Sequence, residues 1–386
     1  MRLIVSGGGT GGHVYPALAA VHALKHLLTN TAEPLSNNDS PTKENLDILW
    51  IGSRHGMEQG LVERAHLKFT GISALGLRGK NPLTMLKGLW ALGQGYRQSR
   101  QILKQFKPEV LFVTGGYVCV PVTLAAWRLG IPILIYLPDI EPGFAIKFLA
   151  QFATRVAVTA SEAQQFFKPG LTVVTGYPTR SDVLTNSDQA EPSLTARQQL
   201  GLDPDLPVLL LFGGSRGARS LNQALTQDLE TYLSVAQVLH ITGKLDEAWV
   251  QEKRDALPEA AQKRYHVSAY LHETMPAALR AADLVISRAG ASVLGEFPAA
   301  GLAAILVPYP YAGAHQTLNA NYLVKHHAAR LIKDEALQTD LKDSVINLLT
   351  NKQALHTMRQ ASRALAQPDA ATQLAQQVLE MRHYGN

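Results

Sequence analysis

A single cysteine, Cys119, stands among 386 residues, so no disulfide can form within the chain and a reducing compartment is expected. No apolar run reaches the roughly 20 residues needed to cross a bilayer. No basic segment leads into an apolar stretch at the start, because a strand-like run and a glycine turn begin at once. Export is therefore not expected, and any membrane contact should be peripheral. The His and Cys spacings of zinc sites are missing, and no Asp-x-Asp pair is expected to hold a sugar-nucleotide metal. Neither glycine turn ends in the Gly-Lys-Ser/Thr of a triphosphate loop, and the first is not followed by a well-placed acidic residue of a dinucleotide fingerprint. Charge of one sign is scarce too. A formal excess of +5 permits contact with an anionic membrane or substrate but is too small to argue for nucleic acid.

What the chain does have is a duplicated pattern. Arg2–Ser6 runs into Gly7-Gly8-Gly9-Thr10-Gly11-Gly12-His13, and Pro207–Phe212 runs into Gly213-Gly214-Ser215-Arg216-Gly217. Such turns let main-chain N–H groups, and the positive end of the helix that follows, approach a phosphate. The length suits two domains of roughly 150–200 residues. Two nucleotide-binding α/β halves facing one cleft are the expected result.

Short apolar runs alternate with helical patterns, as in parallel doubly wound sheets. Arg2–Ser6, Leu46–Ile51, Val110–Thr114, Ile131–Tyr136, Arg155–Thr159 and Thr172–Thr175 form one set of strands. Val208–Phe212, Gln237–Thr242, His266–Ser268, Leu284–Ser287 and Ala304–Val307 form the second. Between them Ser181–Asp205, polar and marked by Pro192 and Pro204, reads as a hinge and an entry helix. Thr29–Asn45 is polar without apolar period and reads as a surface insertion. Ala354–Arg382 reads as helix that crosses back onto the first half.

Five motifs in order now carry a resemblance: GGTGGHVYPALA from Gly8, VTGYPTR ending at Arg180, GGSRGARSLN from Gly213, ADLVISRAGASVLGE ending at Glu296, and HQTLNA from His315. Together they resemble the MurG-type N-acetylglucosaminyltransferases of peptidoglycan synthesis over nearly the whole chain. The resemblance implies an α/β fold of two Rossmann-like, doubly wound domains facing a cleft, the GT-B architecture. Residues 1–180 would form the acceptor- and membrane-facing domain, 181–365 the UDP-sugar domain, and 366–386 a helix returning to the first. It further implies inverting transfer of N-acetylglucosamine from UDP-N-acetylglucosamine to the muramyl 4-hydroxyl of undecaprenyl-linked lipid I. The reaction would need no cofactor and would take place at the cytoplasmic face of the membrane.

The same resemblance suggests roles for individual residues. His13 would be the catalytic base, since an imidazole titrates near neutral pH and a sugar hydroxyl needs its proton removed as it attacks; read alone, it could instead bond its own turn. Thr10, Gly11 and Gly12 would touch donor sugar or acceptor phosphate, and Gly115, Gly116 and Tyr117 the acceptor's diphosphate. Ser215 and Arg180 would face the donor diphosphate, although a helix-capping serine and an ordinary salt bridge are the simpler readings. Glu296 would accept from both ribose hydroxyls, which a carboxylate can do, and Leu271 would meet the uracil through its main chain. Ala291 keeps its turn small for ligand approach, and Gln316, able to donate and accept, would meet the donor sugar.

Departures from the family pattern fall mainly in the first half. Tyr136-Leu137-Pro138-Asp139 stands where the family usually has His-Glu-Gln-Asn, so Asp139 replaces an amide near the donor sugar. Cys119-Val120 replaces Ser-Gly, and Tyr177 replaces Asn. These changes support UDP-sugar use more firmly than the identity of the acceptor, and leave open a related transferase for another lipid acceptor or a nucleotide-sugar-binding homologue that has lost catalysis. A membrane-docking stretch is read at Leu77–Phe106, where Leu86, Leu89, Trp90 and Tyr96 mix with Arg78, Lys80, Lys87, Arg97, Arg100 and Lys104. A helix packed on its own domain with a solvated basic face is the alternative.

Overall fold

The computed structural model describes residues 1–30, 46–54, 56–74, 82–179, 182–183, 192–214, 217–271, 273–311 and 315–384. The polar stretch 31–45, most of the hinge, Arg180 and Ser215 lie outside them. The chain divides into two compact units, residues 1–178 with 369–386, and residues 179–368.

The first unit holds a seven-stranded parallel sheet. Its strands are β1 (Arg2–Gly7), β2 (Asp47–Ser53), β3 (Lys68–Ile72), β4 (Val110–Gly115), β5 (Ile133–Leu137), β6 (Arg155–Val158) and β7 (Thr172–Val174), in the order β3-β2-β1-β4-β5-β6-β7. The central strands β1, β4 and β5 are apolar over most of their length because both faces are covered. Leu3, Val5, Trp50, Phe112 and Leu134 point to one layer, and Ile4, Ile51, Leu111, Val113 and Ile135 to the other. The helix Gly11–Asn30 packs on the first layer with Val14, Ala17, Val21 and Leu24. So does Ala370–Met381, which buries Leu374, Ala375, Val378 and Met381 there. Arg155 fastens this last helix by donating to Gln377 Oε1 at 2.5 Å and Glu380 Oε2 at 2.6 Å.

The second unit repeats the plan with six parallel strands: β8 (Val208–Phe212), β9 (Gln237–Ile241), β10 (Tyr265–Ser268), β11 (Leu284–Ser287), β12 (Ala303–Leu306) and β13 (Ala329–Leu331), ordered β10-β9-β8-β11-β12-β13. The α/β, doubly wound class is as expected, but each sheet has an edge strand that the sequence did not reveal. β3 reads Lys-Phe-Thr-Gly-Ile and β13 is three residues long, so neither carries an apolar run. The expected C-terminal helix is two helices, Lys352–Arg363 and Ala370–Met381. Pro368 falls between them, and the first belongs to the second unit.

These strand orders place the functional turns. In the first unit the order reverses between β1 and β4, in the second between β8 and β11, and ligands of open α/β sheets bind beyond the carboxyl ends of strands at such points. The turns after β1 and β4 hold Gly8–His13 and Gly115–Tyr117, and those after β8 and β11 hold Gly213–Gly217 and Arg288–Ala291.

Candidate functional site

In the first unit the two glycine turns are stitched together by backbone. The Gly8 N–H donates to the Gly115 carbonyl at 3.1 Å, and that carbonyl also accepts the Cys119 thiol at 2.9 Å. The Trp50 indole donates to the Gly7 carbonyl at 3.0 Å. The helix begins at Gly11, and the His13 N–H closes its entry onto the Thr10 carbonyl at 3.2 Å. Thr10 is exposed and Gly11 and Gly12 are half-buried, so the helix start faces solvent.

The His13 ring lies over Gly115. A Cβ on that glycine, whose φ is +123°, would stand 2.7 Å from both Nδ1 and Cε1 of the imidazole. The ring is partly exposed, yet its Nδ1 is enclosed and has no hydrogen-bond partner among the described residues; the Thr114 hydroxyl next to Gly7 is in the same situation. Burial lowers the His13 pKa, opposed by the charge of Asp139 and by the Thr114 backbone. The net direction favours the neutral imidazole, the form that can take a proton. Asp139 is half-buried just past β5, and Tyr117 is exposed just past β4. The geometry thus brings His13, Gly115, Gly116 and, electrostatically, Asp139 together.

Most of the departures from the family pattern prove to be buried residues. Tyr136 is fully buried in β5, where its hydroxyl bonds Thr159 Oγ1 at 2.9 Å and donates to the Gly176 carbonyl at 3.1 Å. Tyr177 is also buried. Cys119 is enclosed, its thiol pushed up to about 11 by burial, and it serves as a donor to the Ser6 and Gly115 carbonyls. Of the replaced positions, Asp139 is the one whose charge reaches His13.

In the second unit, Ala291 opens a short 3-10 turn, and Glu296 begins the helix Glu296–Ala300, half-buried. Arg288 pins this turn. It pairs with Asp334 at 2.6 Å, donates to Ser220 Oγ at 2.7 Å, and lies over the Tyr309 ring. The buried amide of Asn319 holds the Ala289 carbonyl at 3.1 Å. Gln316 Oε1 accepts the Tyr309 N–H at 2.8 Å, so its acceptor end is engaged and its amide Nε2 is left to donate. Leu271 is half-buried just beyond β10.

Beneath the second glycine turn lies a buried polar chain. His240 bonds Tyr265 Oη at 2.7 Å and Asn222 Oδ1 at 2.9 Å, and the Asn222 amide reaches the Thr242 carbonyl and Asp246 Oδ2. Burial pushes the His240 pKa down to about 3, so the chain is neutral at the imidazole. Gly217 abuts the Thr242 carbonyl so closely that a side chain there would overlap it. Arg288, Asn222 and His240 were not singled out from sequence. Arg288 and Asn222 stand in two of the motifs and His240 in an expected strand, but their partners lie in other elements.

Among the described residues no group of three His, Cys, Asp or Glu is placed to hold a metal ion. The chain's one Asp-x-Asp spacing, Asp203–Asp205, closes a turn at the amino end of β8, where the Asp205 N–H donates to Asp203 Oδ1 at 2.9 Å. No described helix is long and apolar enough to cross a membrane. An aromatic cluster is nevertheless exposed on the first unit. Trp127 and Phe148 both pack against Phe152, at 5.0 and 5.4 Å between ring centres, and Phe144 and Trp90 stand 94% and 70% exposed. Tyr96, expected on the docking face, is half-buried and packs against the core, while Arg97, Arg100 and Lys104 are exposed. The positions from Leu77 to Lys80 lie outside the described residues.

Comparison with known proteins follows the same division. The glycosyltransferase family 28 N-terminal domain matches residues 3–158 and the family 28 C-terminal domain residues 208–374. A UDP-N-acetylglucosamine--N-acetylmuramyl-(pentapeptide) pyrophosphoryl-undecaprenol N-acetylglucosamine transferase of Roseiflexus sp. is 39% identical, covering 97% of this chain and 94% of that protein. The enzyme of the same description from Bacillus subtilis is 34% identical over 99% of this chain and 100% of its own length. The crystal structure of Acinetobacter baumannii MurG superposes with a TM-score of 0.70 at 26% identity, covering 98% of this chain and 99% of that one.

Proposed function

The chain belongs to glycosyltransferase family 28, and from that premise we propose how its residues carry out the family's chemistry. The protein transfers N-acetylglucosamine from UDP-N-acetylglucosamine to the muramyl 4-hydroxyl of undecaprenyl-diphosphate muramyl-pentapeptide, lipid I, making lipid II for peptidoglycan. The first unit takes the acceptor and the second the donor. His13 removes the 4-hydroxyl proton as that oxygen attacks the anomeric carbon from the face opposite the leaving group. The new C–O bond forms, the bond from the anomeric carbon to the β-phosphate oxygen breaks, and UDP leaves with the electron pair. Configuration at the anomeric carbon inverts.

The observation that carries this reading is the His13 imidazole, held over Gly115 at the switch point between β1 and β4 and kept neutral by burial. Asp139 supports it by favouring the imidazolium formed after proton uptake. In the second unit Glu296 accepts from the ribose hydroxyls, Gln316 donates to the sugar through Nε2, and Leu271 meets the uracil. Ala291 leaves room for the nucleotide, while Ser215 and Arg180 hold the diphosphate. Gly116, Tyr117, Thr10, Gly11 and Gly12 offer backbone and hydroxyl groups to acceptor phosphate or donor sugar.

Purified protein assayed with UDP-N-acetylglucosamine should glycosylate a lipid I analogue, and His13→Ala should lower kcat by about 10²- to 10⁴-fold. Near-normal turnover of His13→Ala across pH would remove the base assignment. A different lipid acceptor is the second reading, favoured by the replacements at Cys119-Val120 and Tyr136–Asp139 in the first unit, and preference for diacylglycerol over the lipid I analogue would establish it. The finer localisation, peripheral at the cytoplasmic face, is supported by the exposed Trp127, Phe144 and Phe148, with exposed Arg128 and Lys147 next to Trp127 and Phe148 in sequence. Binding to anionic vesicles should weaken as salt rises.

A further inference from the structure

The first glycine turn rests on a residue that its own motif does not contain. Glu58 is the first residue of the helix Glu58–Arg64, a place where an acidic side chain ordinarily points to solvent and interacts with the helix dipole. Here it is fully buried, with 0% of its surface exposed. Its carboxylate turns away from its own helix. One oxygen accepts the Ser53 N–H at 2.8 Å, at the end of β2, and the other accepts the Gly9 N–H at 3.3 Å, across 49 residues of sequence. No ion pair to Glu58 occurs among the described residues, so two backbone amides compensate a buried charge. Such a charge is retained only at a cost unless its hydrogen bonds are made.

The surrounding backbone is shaped to admit that carboxylate. A Cβ on Gly8 would stand 2.5 Å from Glu58 Oε1, and one on Gly56 would overlap the carboxylate outright. The Glu58 charge also reaches the Cys119 thiol, which donates to Gly115, the glycine beneath the His13 ring. Glu58 therefore touches the base-bearing turn directly through Gly9 and borders the elements that fix Gly115. The N–H groups of Thr10, Gly11 and Gly12, which follow, have no partner among the described residues and point from the start of a helix, where an anionic group is favoured.

We propose that Glu58 is a positioning residue for the transfer reaction, its carboxylate anchoring the Gly9 N–H so that Thr10–Gly12 and the His13 imidazole are held in reactive register. This rests on the reading of His13 as the base. A carboxylate is required because both partners are donors. Glutamine offers one acceptor oxygen and turns an NH₂ group toward the second N–H.

The full chain carrying Glu58→Gln, Glu58→Ala, His13→Ala or Val62→Ala tests this. Val62 is buried in the same short helix and bonds nothing in the glycine turn. Measured for each are kcat, KM for UDP-N-acetylglucosamine, UDP affinity by calorimetry, melting temperature, and hydrogen exchange of the peptide spanning Gly7–His13. A shift of the turn by about 1 Å should cost Glu58→Gln on the order of 10² in kcat. Its UDP affinity should stay within about twofold of wild type, since UDP is assigned to the other unit, and exchange should quicken at Gly7–His13. Val62→Ala should lower the melting temperature with kcat retained. Unchanged kcat in Glu58→Gln, or a loss equally large in Val62→Ala, overturns the proposal. If His13→Ala kept turnover while Glu58→Gln lost it, the base assignment would fall and the positioning of Thr10–Gly12 would stand. If His13→Ala lost turnover and Glu58→Gln kept it, the positioning role alone would fall.

Discussion

Gly115→Ala subjects the assignment of His13 to a one-atom perturbation. The added methyl would lie 2.7 Å from Nδ1 and Cε1 of the imidazole, well inside van der Waals contact. The residue's φ of +123° is also unfavourable for any L side chain, which costs on the order of 1–3 kcal/mol. The peptide cannot simply turn to relieve this, because the Gly115 carbonyl is held by the Gly8 N–H and the Cys119 thiol. The ring must move instead, by about the 1 Å that separates 2.7 Å from ordinary carbon contact, and such a displacement costs about 10² in rate. The unit itself should survive with a melting temperature lowered by several degrees, since each kcal/mol corresponds to roughly 2–4 °C for a unit of this size. The assay is a double-mutant cycle: kcat for Gly115→Ala, His13→Ala and the pair, with UDP affinity as a control. If the glycine acts through the imidazole, the pair is no slower than His13→Ala alone. Additive losses, or full turnover in a folded Gly115→Ala protein, would refute the reasoning.

Four further outcomes follow from the same structure. Glu296→Ala should weaken UDP by roughly 10- to 150-fold, the equivalent of about 1.5–3 kcal/mol for a charge-assisted hydrogen-bond pair, and calorimetry showing unchanged affinity would reject the ribose role. Because burial lowers the His13 pKa and only the neutral ring accepts a proton, kcat/KM should fall on the acid side below the ordinary value of 6.5. Asp139→Asn removes a charge that raises that pKa and should move the acid limb lower still, as a pH–rate profile will report. Leu374→Ala, fully buried against the first sheet, should destabilise the first unit by about 2–5 kcal/mol, with hydrogen exchange rising in β1 and β4 while β8 and β11 stay protected.

Much of this protein was legible as a sequence. The apolar runs of β1, β4 and β8 show their identity because a strand buried on both faces must be apolar at every position. Glycine turns at their carboxyl ends are legible because the backbone conformation there is a local property. Five motifs in order were enough to recognise the family, and three of them mark the turns after β1, β8 and β11, at the reversals of the two sheets.

What only the tertiary structure decided is which side chains hold those turns. Tyr136 looked like an altered site residue and is a core residue, because its hydroxyl finds Thr159 and Gly176 on neighbouring elements. Glu58 was not singled out from sequence, and its partner at Gly9 lies 49 positions away. β3 and β13 escaped notice because an edge strand need not be apolar at every position, and its pairing is supplied by the neighbour already in place. Local conformational preference is written in adjacent residues. The partners of a buried polar group are set by packing between elements distant in the chain, and no local pattern records them.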